Sequence, residues 1–373
     1  MRYFVICAGL LLPCSEANAV LIGTGTGKGN TTAPANDFGF ENVGVFGSGS
    51  AVYLGNGWVL TAAHVYDGSS GGGTPTQALF DGSFYQAVPN SGVQLKNPVG
   101  VAGTQFTDLE MFKLATAPPL PTLTITPTPP TAGWQVVMDG NGRDRTNNQV
   151  GYWTPTWQPS STPTALAGDV WGTMPTLRWG TNVIDLAGAT QGVNGNNEVS
   201  FMTTFDAKGT TYEAQGTPGD SGGGVFHQDP TTGAWSLAGI MFSTTSLPGQ
   251  PWGTAVFGNS TWSADLYYYR TQIYQTMAIP GDLNFDGIVN TQDLAIISST
   301  WLQTGRGSKM PAGDVNHDGI VNSQDLALIA SLSATAQTSY GNTLVAVPEP
   351  ATALLTIIAL TCWLAAAGRR SAR

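Results

Sequence analysis

Short runs alternating apolar with polar or small residues fill residues 20 to 278, among them Val43–Val45, Ala51–Leu54, Trp58–Thr61, Gln135–Met138 and Val225–His227. Period-two runs bounded by turn residues predict many short strands of a sandwich or barrel. A helical signal comes late: Ser263 can cap, Leu266, Tyr269, Ile273 and Met277 follow at helical spacing, and Ile279-Pro280 breaks the chain. Ala117–Thr131 and Thr154–Pro163 are rich in Pro and Thr and read as loops. From 281 to about 335 the pattern changes to a repeat. Each copy is a loop rich in Asp and Asn that leads into an apolar helix, Leu294–Trp301 and Leu326–Ser331.

The two ends differ from the body. Arg2, the apolar run Tyr3–Leu12 and the small-x-small site Ala17-Asn18-Ala19 form the pattern of a cleaved export signal, so the mature chain is expected to start at Val20. That run is too short to span a bilayer. Near the other end, Ala351–Ala367 carries no charge and is followed by Arg369, Arg370 and Arg373. This is the short limit of a spanning helix, with cations placed to stay cytoplasmic. Val347-Pro348-Glu349-Pro350, the apolar span and the Arg cluster, in that order, resemble the PEP-CTERM sorting signal of Gram-negative bacteria. The resemblance implies exosortase-type sorting machinery, transient membrane anchoring by the C-terminal segment, and export to the cell surface or extracellular matrix. The expected division is therefore 1–19 signal peptide, 20–278 main domain, 281–335 repeat module, 336–346 polar linker and 347–373 sorting signal.

Composition narrows the function. Of 373 residues only 10 % are charged, and the net charge is −10 with 14 Lys+Arg, a poor match to nucleic acid, which needs clustered cations. Cys7, Cys14 and Cys362 all lie in the terminal segments. The body thus offers no disulfide, thiolate nucleophile or zinc–cysteine site.

Three segments carry the chemistry. Trp58-Val-Leu-Thr-Ala-Ala-His64 runs from an apolar strand into a turn of small residues, Asp108 opens an apolar strand, and Gly219-Asp220-Ser221-Gly222-Gly223 flanks a serine with glycines. A serine hydroxyl needs an imidazole to take its proton, and the imidazole needs a carboxylate to fix its tautomer. Glycines around the serine let two backbone N–H groups converge on a developing oxyanion. The only histidines are His64, His227 and His317; His227 follows the serine in a strand and reads as structural, and His317 lies in the repeat. Glu110 shares a strand face with Asp108 and is the other carboxylate in reach.

LTAAH, DLEMFKL and GDSGGG, in the order His, Asp, Ser, resemble the chymotrypsin/trypsin-like serine proteases over about residues 40 to 278. The resemblance implies an all-β fold of two six-stranded antiparallel barrels. It implies His64 as general base, Asp108 as its orienting group, Ser221 as nucleophile, and the N–H groups of Gly219 and Ser221 as oxyanion hole. The Asp108–Ser221 interval is longer than usual in that family, which implies insertions. Asp220 is expected to pair with a new N-terminal ammonium, for which Val20 is available. The specificity pocket is expected at Gln215, with Phe242, Ser243 and Thr244 on the opposite wall. No Asp stands at its base, so a preference for Lys or Arg is not implied.

In the repeat, Asp282, Asn284, Asp286 and Asp293 take loop positions 1, 3, 5 and 12, and Gly287 takes position 6. Position 7 offers the Ile288 carbonyl, and Asn290 at position 9 can act through water. Asp314, Asn316, Asp318, Ile320, Asn322 and Asp325 repeat the set. Oxygen ligands at these spacings suit two Ca²⁺ sites. With Asp in place of Glu at position 12, the pair resembles the type I dockerin module. That implies a cohesin-like partner, read at positions 10 and 11, here Thr291/Gln292 and Ser323/Gln324. The expected whole is an exported serine endopeptidase acting on protein or peptide substrates, with no cofactor for catalysis. The rivals are an inactive protease-fold scaffold or adhesion protein and a component of an extracellular polysaccharide-degrading assembly.

Overall fold

The computed structural model describes residues 20–69, 73–101, 104–146, 150–279, 281–285, 289–305, 311–316 and 320–339. The chain divides into two units, Met1–Ser333 and Ala334–Arg373; of the second, only the backbone of 334–339 is described. The export signal and the sorting signal lie outside the described residues. Among the described residues no helix is long and apolar enough to cross a membrane.

The first half contains β1 (Leu21–Ile22), β2 (Val43–Phe46), β3 (Gly49–Gly55), β4 (Trp58–Ala62), the short helix α1 (Ala63–Tyr66), β5 (Gln77–Phe80), β6 (Ser83–Gln86), β7 (Val93–Lys96) and β8 (Phe106–Lys113). Strands β2 to β8 form one seven-stranded sheet in the order β6-β5-β2-β3-β4-β8-β7. The six strands from β6 to β8 in this order close on themselves through an antiparallel bridge, Ala87 to Leu114, at the ends of β6 and β8. Val88 N–H donates to Lys113 O at 2.8 Å and Ala115 N–H to Gln86 O at 2.9 Å beside it. β7 adds to the rest of β8 as a seventh strand.

The second half contains β9 (Gln135–Gly140), β10 (Arg143–Arg145), β11 (Gly151–Trp153), β12 (Pro159–Ser160), β13 (Leu166–Pro175), β14 (Arg178–Val193), β15 (Asn196–Thr204), β16 (Ala214–Gln215), β17 (Gly224–Gln228), β18 (Trp235–Thr245), β19 (Thr254–Val256) and β20 (Ser260–Asp265). Six of these close a barrel in the order β14-β15-β20-β18-β17-β9. The interval between Asp108 and Ser221 supplies β10 to β13, which β19, from beyond Ser221, completes to a five-stranded sheet. The Pro/Thr-rich stretch read as a loop at Thr154–Pro163 contains β12, which pairs with β11.

Three more helices follow among the described residues: α2 (Arg270–Met277), α3 (Thr291–Ser299) and α4 (Ser323–Ser339). α2 starts later than the spacing predicted. Ser263 is no cap but a residue of β20, opposite Phe201 and Met241, because strand pairing on both sides overrides a local capping preference. α4 runs past the expected module boundary at 335.

One core cluster holds Phe46, Phe80 and Phe112 of the first sheet together with Phe226, Ile240 and Phe242 of the barrel, and α2 adds Ile273 and Tyr274. Burying each such side chain stabilises the fold by roughly 2–3 kcal/mol relative to exposure. A second cluster fills the barrel with Val136, Met138, Ile184 and Phe201, and Val20 inserts into it.

Candidate active site

β4 ends at Ala62 and α1 turns the chain at once, which leaves His64 buried at 8 % exposure. Register sets its partner: β4 runs antiparallel to β8, with Ala62 opposite Leu109. The preceding residue, Asp108, thereby meets the start of α1. Its Oδ1 accepts the His64 main-chain N–H at 3.0 Å, and its Oδ2 lies 2.5 Å from His64 Nδ1. Burial pushes the Asp108 carboxyl above the usual range, and the hydrogen bond and charge of His64 pull it back. A carboxylate gripping both the backbone and the ring nitrogen fixes where the imidazole points, leaving Nε2 for chemistry. Among the described residues no hydrogen bond or ion pair joins Glu110, the other carboxylate, to His64; burial, with Asp67 nearby, pushes it up to about 7.

Ser221 reaches this pair through β3. Ser50 N–H donates to Ser221 O at 2.8 Å, and Thr61, three residues before His64, donates its hydroxyl to Ser50 O at 2.7 Å. Gly49 shows how tight the junction is: a Cβ there would stand 2.7 Å from Val65 Cγ2 and 2.8 Å from Ser221 O. The serine turn is built for main-chain donors. Gly219 has φ 108°, and a side chain on it would stand 2.6 Å from Asn141 O. Asp220 N–H donates to Thr217 O, Gly222 N–H to Met241 O and Gly223 N–H to Asp220 O. Among the described residues, no acceptor is recorded for the Gly219 or Ser221 N–H. Ser50 Oγ holds the turn, donating to Gly219 O and accepting from Asn141 N–H, both at 2.7 Å.

In the unprocessed chain the Asp220 carboxyl, expected to pair with an N-terminal ammonium after cleavage, meets neutral donors. It accepts Gly142 N–H at 2.8 Å, Thr217 N–H at 2.7 Å and the Thr217 hydroxyl at 3.0 Å. Burial pushes it up to about 7, against these hydrogen bonds and the nearby Arg178. Val20 is fully buried among barrel side chains. The segment after it is held by the buried Arg145, whose guanidinium donates to carbonyls from Gly23 to Thr26 and pairs with Asp169 at 3.0 Å.

The expected specificity pocket is only partly assembled. Gln215 is buried in β16 opposite Leu21, with its amide donating to Ser260 O at 3.3 Å. A Cβ on the next residue, Gly216, would stand 3.3 Å from Thr244 Cγ2. Ser243 is half-buried and Thr244 exposed, whereas Phe242 is taken into the core, where the pairing of β18 with β20 shifts register between Met241 and Ser243. His227 stacks on Trp134 with ring centroids 3.8 Å apart, and its Nδ1 lies 3.0 Å from Gln135 O.

Ser50, Thr217 and Glu198 shape this site, and no motif marks them. The Glu198 carboxyl accepts the Asp108 main-chain N–H at 2.7 Å. Its neighbour in sequence gives no periodic or spacing signal that would have singled it out.

In the repeat, the position-12 residues Asp293 and Asp325 are fully buried. Asp293 accepts the N–H groups of Leu283, Asn284 and Asn290, and Asp325 those of Val315, Asn316 and Asn322. Asn290 and Asn322 cap α3 and α4, accepting Gln292 N–H at 2.7 Å and Gln324 N–H at 2.8 Å. Asp282 and Asp314 are buried at 3 % and 4 % exposure. Asp286, Ile288 and Asp318 lie outside the described residues. Among the described residues no group of three His, Cys, Asp or Glu converges on a metal position. Two buried carboxylates per loop, with amide and main-chain oxygens, still make an oxygen-only donor set that fits Ca²⁺.

The model of the trypsin-like peptidase domain matches residues 47–234. The chain belongs to that family. The model of the dockerin type I domain matches residues 280–331; dockerin type I domains bind calcium. No curated protein matches the chain. Among solved structures, the peptidase is similar to neuropsin, a serine protease expressed in the limbic system of mouse brain. The identity is 15 % and the TM-score 0.41, over 67 % of this chain and 99 % of that one. It is also similar to an inactive mutant form of Rv3671c from M. tuberculosis H37Rv, at 15 % identity and TM-score 0.36, over 64 % and 88 %.

Proposed function

We propose that the peptidase is a serine endopeptidase in which His64, Asp108 and Ser221 form the catalytic triad. The observation that carries this is the Asp108 carboxylate bound to both the His64 N–H and Nδ1, beside a glycine-flanked Ser221. His64 Nε2 takes the proton of Ser221 Oγ as Oγ attacks the peptide carbonyl carbon. The resulting oxyanion is received by the Gly219 and Ser221 N–H groups. Imidazolium, stabilised by Asp108, then protonates the leaving amine, and the acyl-enzyme is released by a water that gives its proton to His64. With Gln215 rather than an Asp at the expected base, a preference for Lys or Arg before the cut is not supported.

The repeat module at 281–335 is read as binding two Ca²⁺ ions through Asp282, Asn284, Asp286, Ile288, Asn290 and Asp293 and through their counterparts in the second loop. Bound calcium supplies positive charge that offsets the buried carboxylates. Thr291/Gln292 and Ser323/Gln324 are exposed, which suits a cohesin-like partner at a cell-surface or extracellular assembly. Residues 1–19 and 347–373 are read as export and sorting signals.

The test is turnover of an internally quenched peptide library by the mature, Ca²⁺-loaded protein. Cleavage within the peptides, abolished in Ser221→Ala, is the expected result. A folded protein that cleaves none would point to the inactive scaffold instead.

A further inference from the structure

We propose that Glu198 is a positioning residue that sets the Asp108 carboxylate against the His64 ring by holding the Asp108 main-chain N–H. This rests on the serine protease reading above. Glu198 lies in the other half of the molecule, on β15, which packs against β8. It is fully buried, and its Oε2 accepts the Asp108 N–H at 2.7 Å. Oε1 is buried with no hydrogen-bond partner among the described residues.

The strand end that carries Glu198 is fixed on both sides. Asn197 N–H donates to Thr104 Oγ1 at 2.8 Å, and Asn197 O accepts from Asn97 Nδ2 at 2.6 Å. On the other side, Val199 N–H donates to Tyr269 Oη at 2.9 Å, and that hydroxyl donates to Asn97 Oδ1 at 2.9 Å. Two rigid anchors thus place a carboxyl behind the catalytic strand where a neutral apolar residue would fill the space at lower cost. Burying an acid without a countercharge is expensive, and no ion pair to Glu198 exists among the described residues.

Burial, with the Asp108 charge beside it, favours a protonated Glu198. Asp108 on β8 is the acid it touches, and Asp67 beyond α1 adds to the field at Asp108. Tyr269, before α2, senses both Glu198 and Asp265. On β7, Lys96 has its ammonium over the Phe106 ring. Burial, opposed by the Asp108 hydrogen bond, pushes Glu198 up to about 8. Near neutral pH the acid therefore holds the N–H without adding charge beside Asp108. Above pH 8 its ionisation adds a second negative charge, which favours the imidazolium form of His64.

The experiment uses the mature, Ca²⁺-loaded protein and two variants, Glu198→Gln and Glu198→Ala. With only three histidines in the chain, the His64 Cε1–H resonance is assignable by comparison with His64→Ala. Its NMR titration in the unmodified protein is expected to show a second inflection near pH 8, lost in Glu198→Gln. In peptide hydrolysis, Glu198→Ala is expected to lower kcat about tenfold at unchanged KM, since a displaced base costs turnover. Glu198→Gln keeps an oxygen for the N–H and should stay within about twofold. The proposal is overturned if the second inflection is missing from the unmodified protein or persists in Glu198→Gln, or if Glu198→Ala keeps full kcat. A folded protein without turnover removes the protease reading, yet the His64 titration still decides whether Glu198 acts on the ring.

Discussion

Ser50→Ala isolates the link between the first sheet and the serine turn. Ser50 is fully buried, and its hydroxyl joins Asn141 N–H to Gly219 O at 2.7 Å each. Removing it deletes two hydrogen bonds, roughly 0.5–1.5 kcal/mol apiece, and leaves a buried N–H that costs about 1–3 kcal/mol more. The sum is a loss of about 2–6 kcal/mol, or roughly 4–24 °C in melting temperature for a domain of this size. Gly219 is also a proposed oxyanion donor. Losing such a donor outright costs about 10²–10³ in kcat, so a peptide plane that is merely loosened should cost about tenfold. Thr61→Ala is the control, because it removes a hydroxyl bonded to Ser50 O but leaves Gly219 held. It should lower the melting temperature with little change in kcat. Scanning fluorimetry and peptide hydrolysis read the two quantities. If Ser50→Ala melts and turns over like the parent, Ser50 does not hold the turn.

Asp108→Asn should leave the protein folded and lower kcat by about 10⁴, because the amide stabilises the wrong imidazole tautomer; a loss under tenfold would show that Asp108 is not the orienting group. Stability should fall as pH rises from about 5 to 8. Burial raises Glu110, Asp220 and Asp265 to about 7 and Glu198 to about 8. The native state therefore keeps protons that the unfolded chain releases near its ordinary carboxylate values, and the unfolded state gains as they leave. Melting temperatures that climb over that range at constant Ca²⁺ would contradict this. Chelation should unfold the α3–α4 module, seen as lost helical circular dichroism, while β9 and the other barrel strands persist; unchanged helical signal would remove calcium from the account of that module.

What the sequence revealed was whatever chemistry announces itself locally. His64, Asp108 and Ser221 each stand in a short segment whose small residues and glycines exist for the backbone geometry that the site needs. The two loops read as calcium sites stand out for the same reason, since their oxygen donors fall within a dozen consecutive residues. Glu198 and Ser50 were not legible: their partners lie far away in sequence, and a buried Glu in a strand looks like any surface Glu until the opposing sheet is in place. The hydrogen bonds of Asp220 to Gly142 and Thr217, and the grip of Arg145 on the carbonyls after Val20, were not legible for the same reason. Phe242 was placed on the pocket wall by position alone, while β18, irregular between Met241 and Ser243, takes it into the core.

The measurement closest to the central claim is reaction of the mature protein with a fluorophosphonate, followed by peptide mapping. A single adduct on Ser221, lost in His64→Ala, is the predicted result. Intact, folded protein without an adduct, or an adduct that forms equally well in His64→Ala, would contradict a hydroxyl activated by that ring.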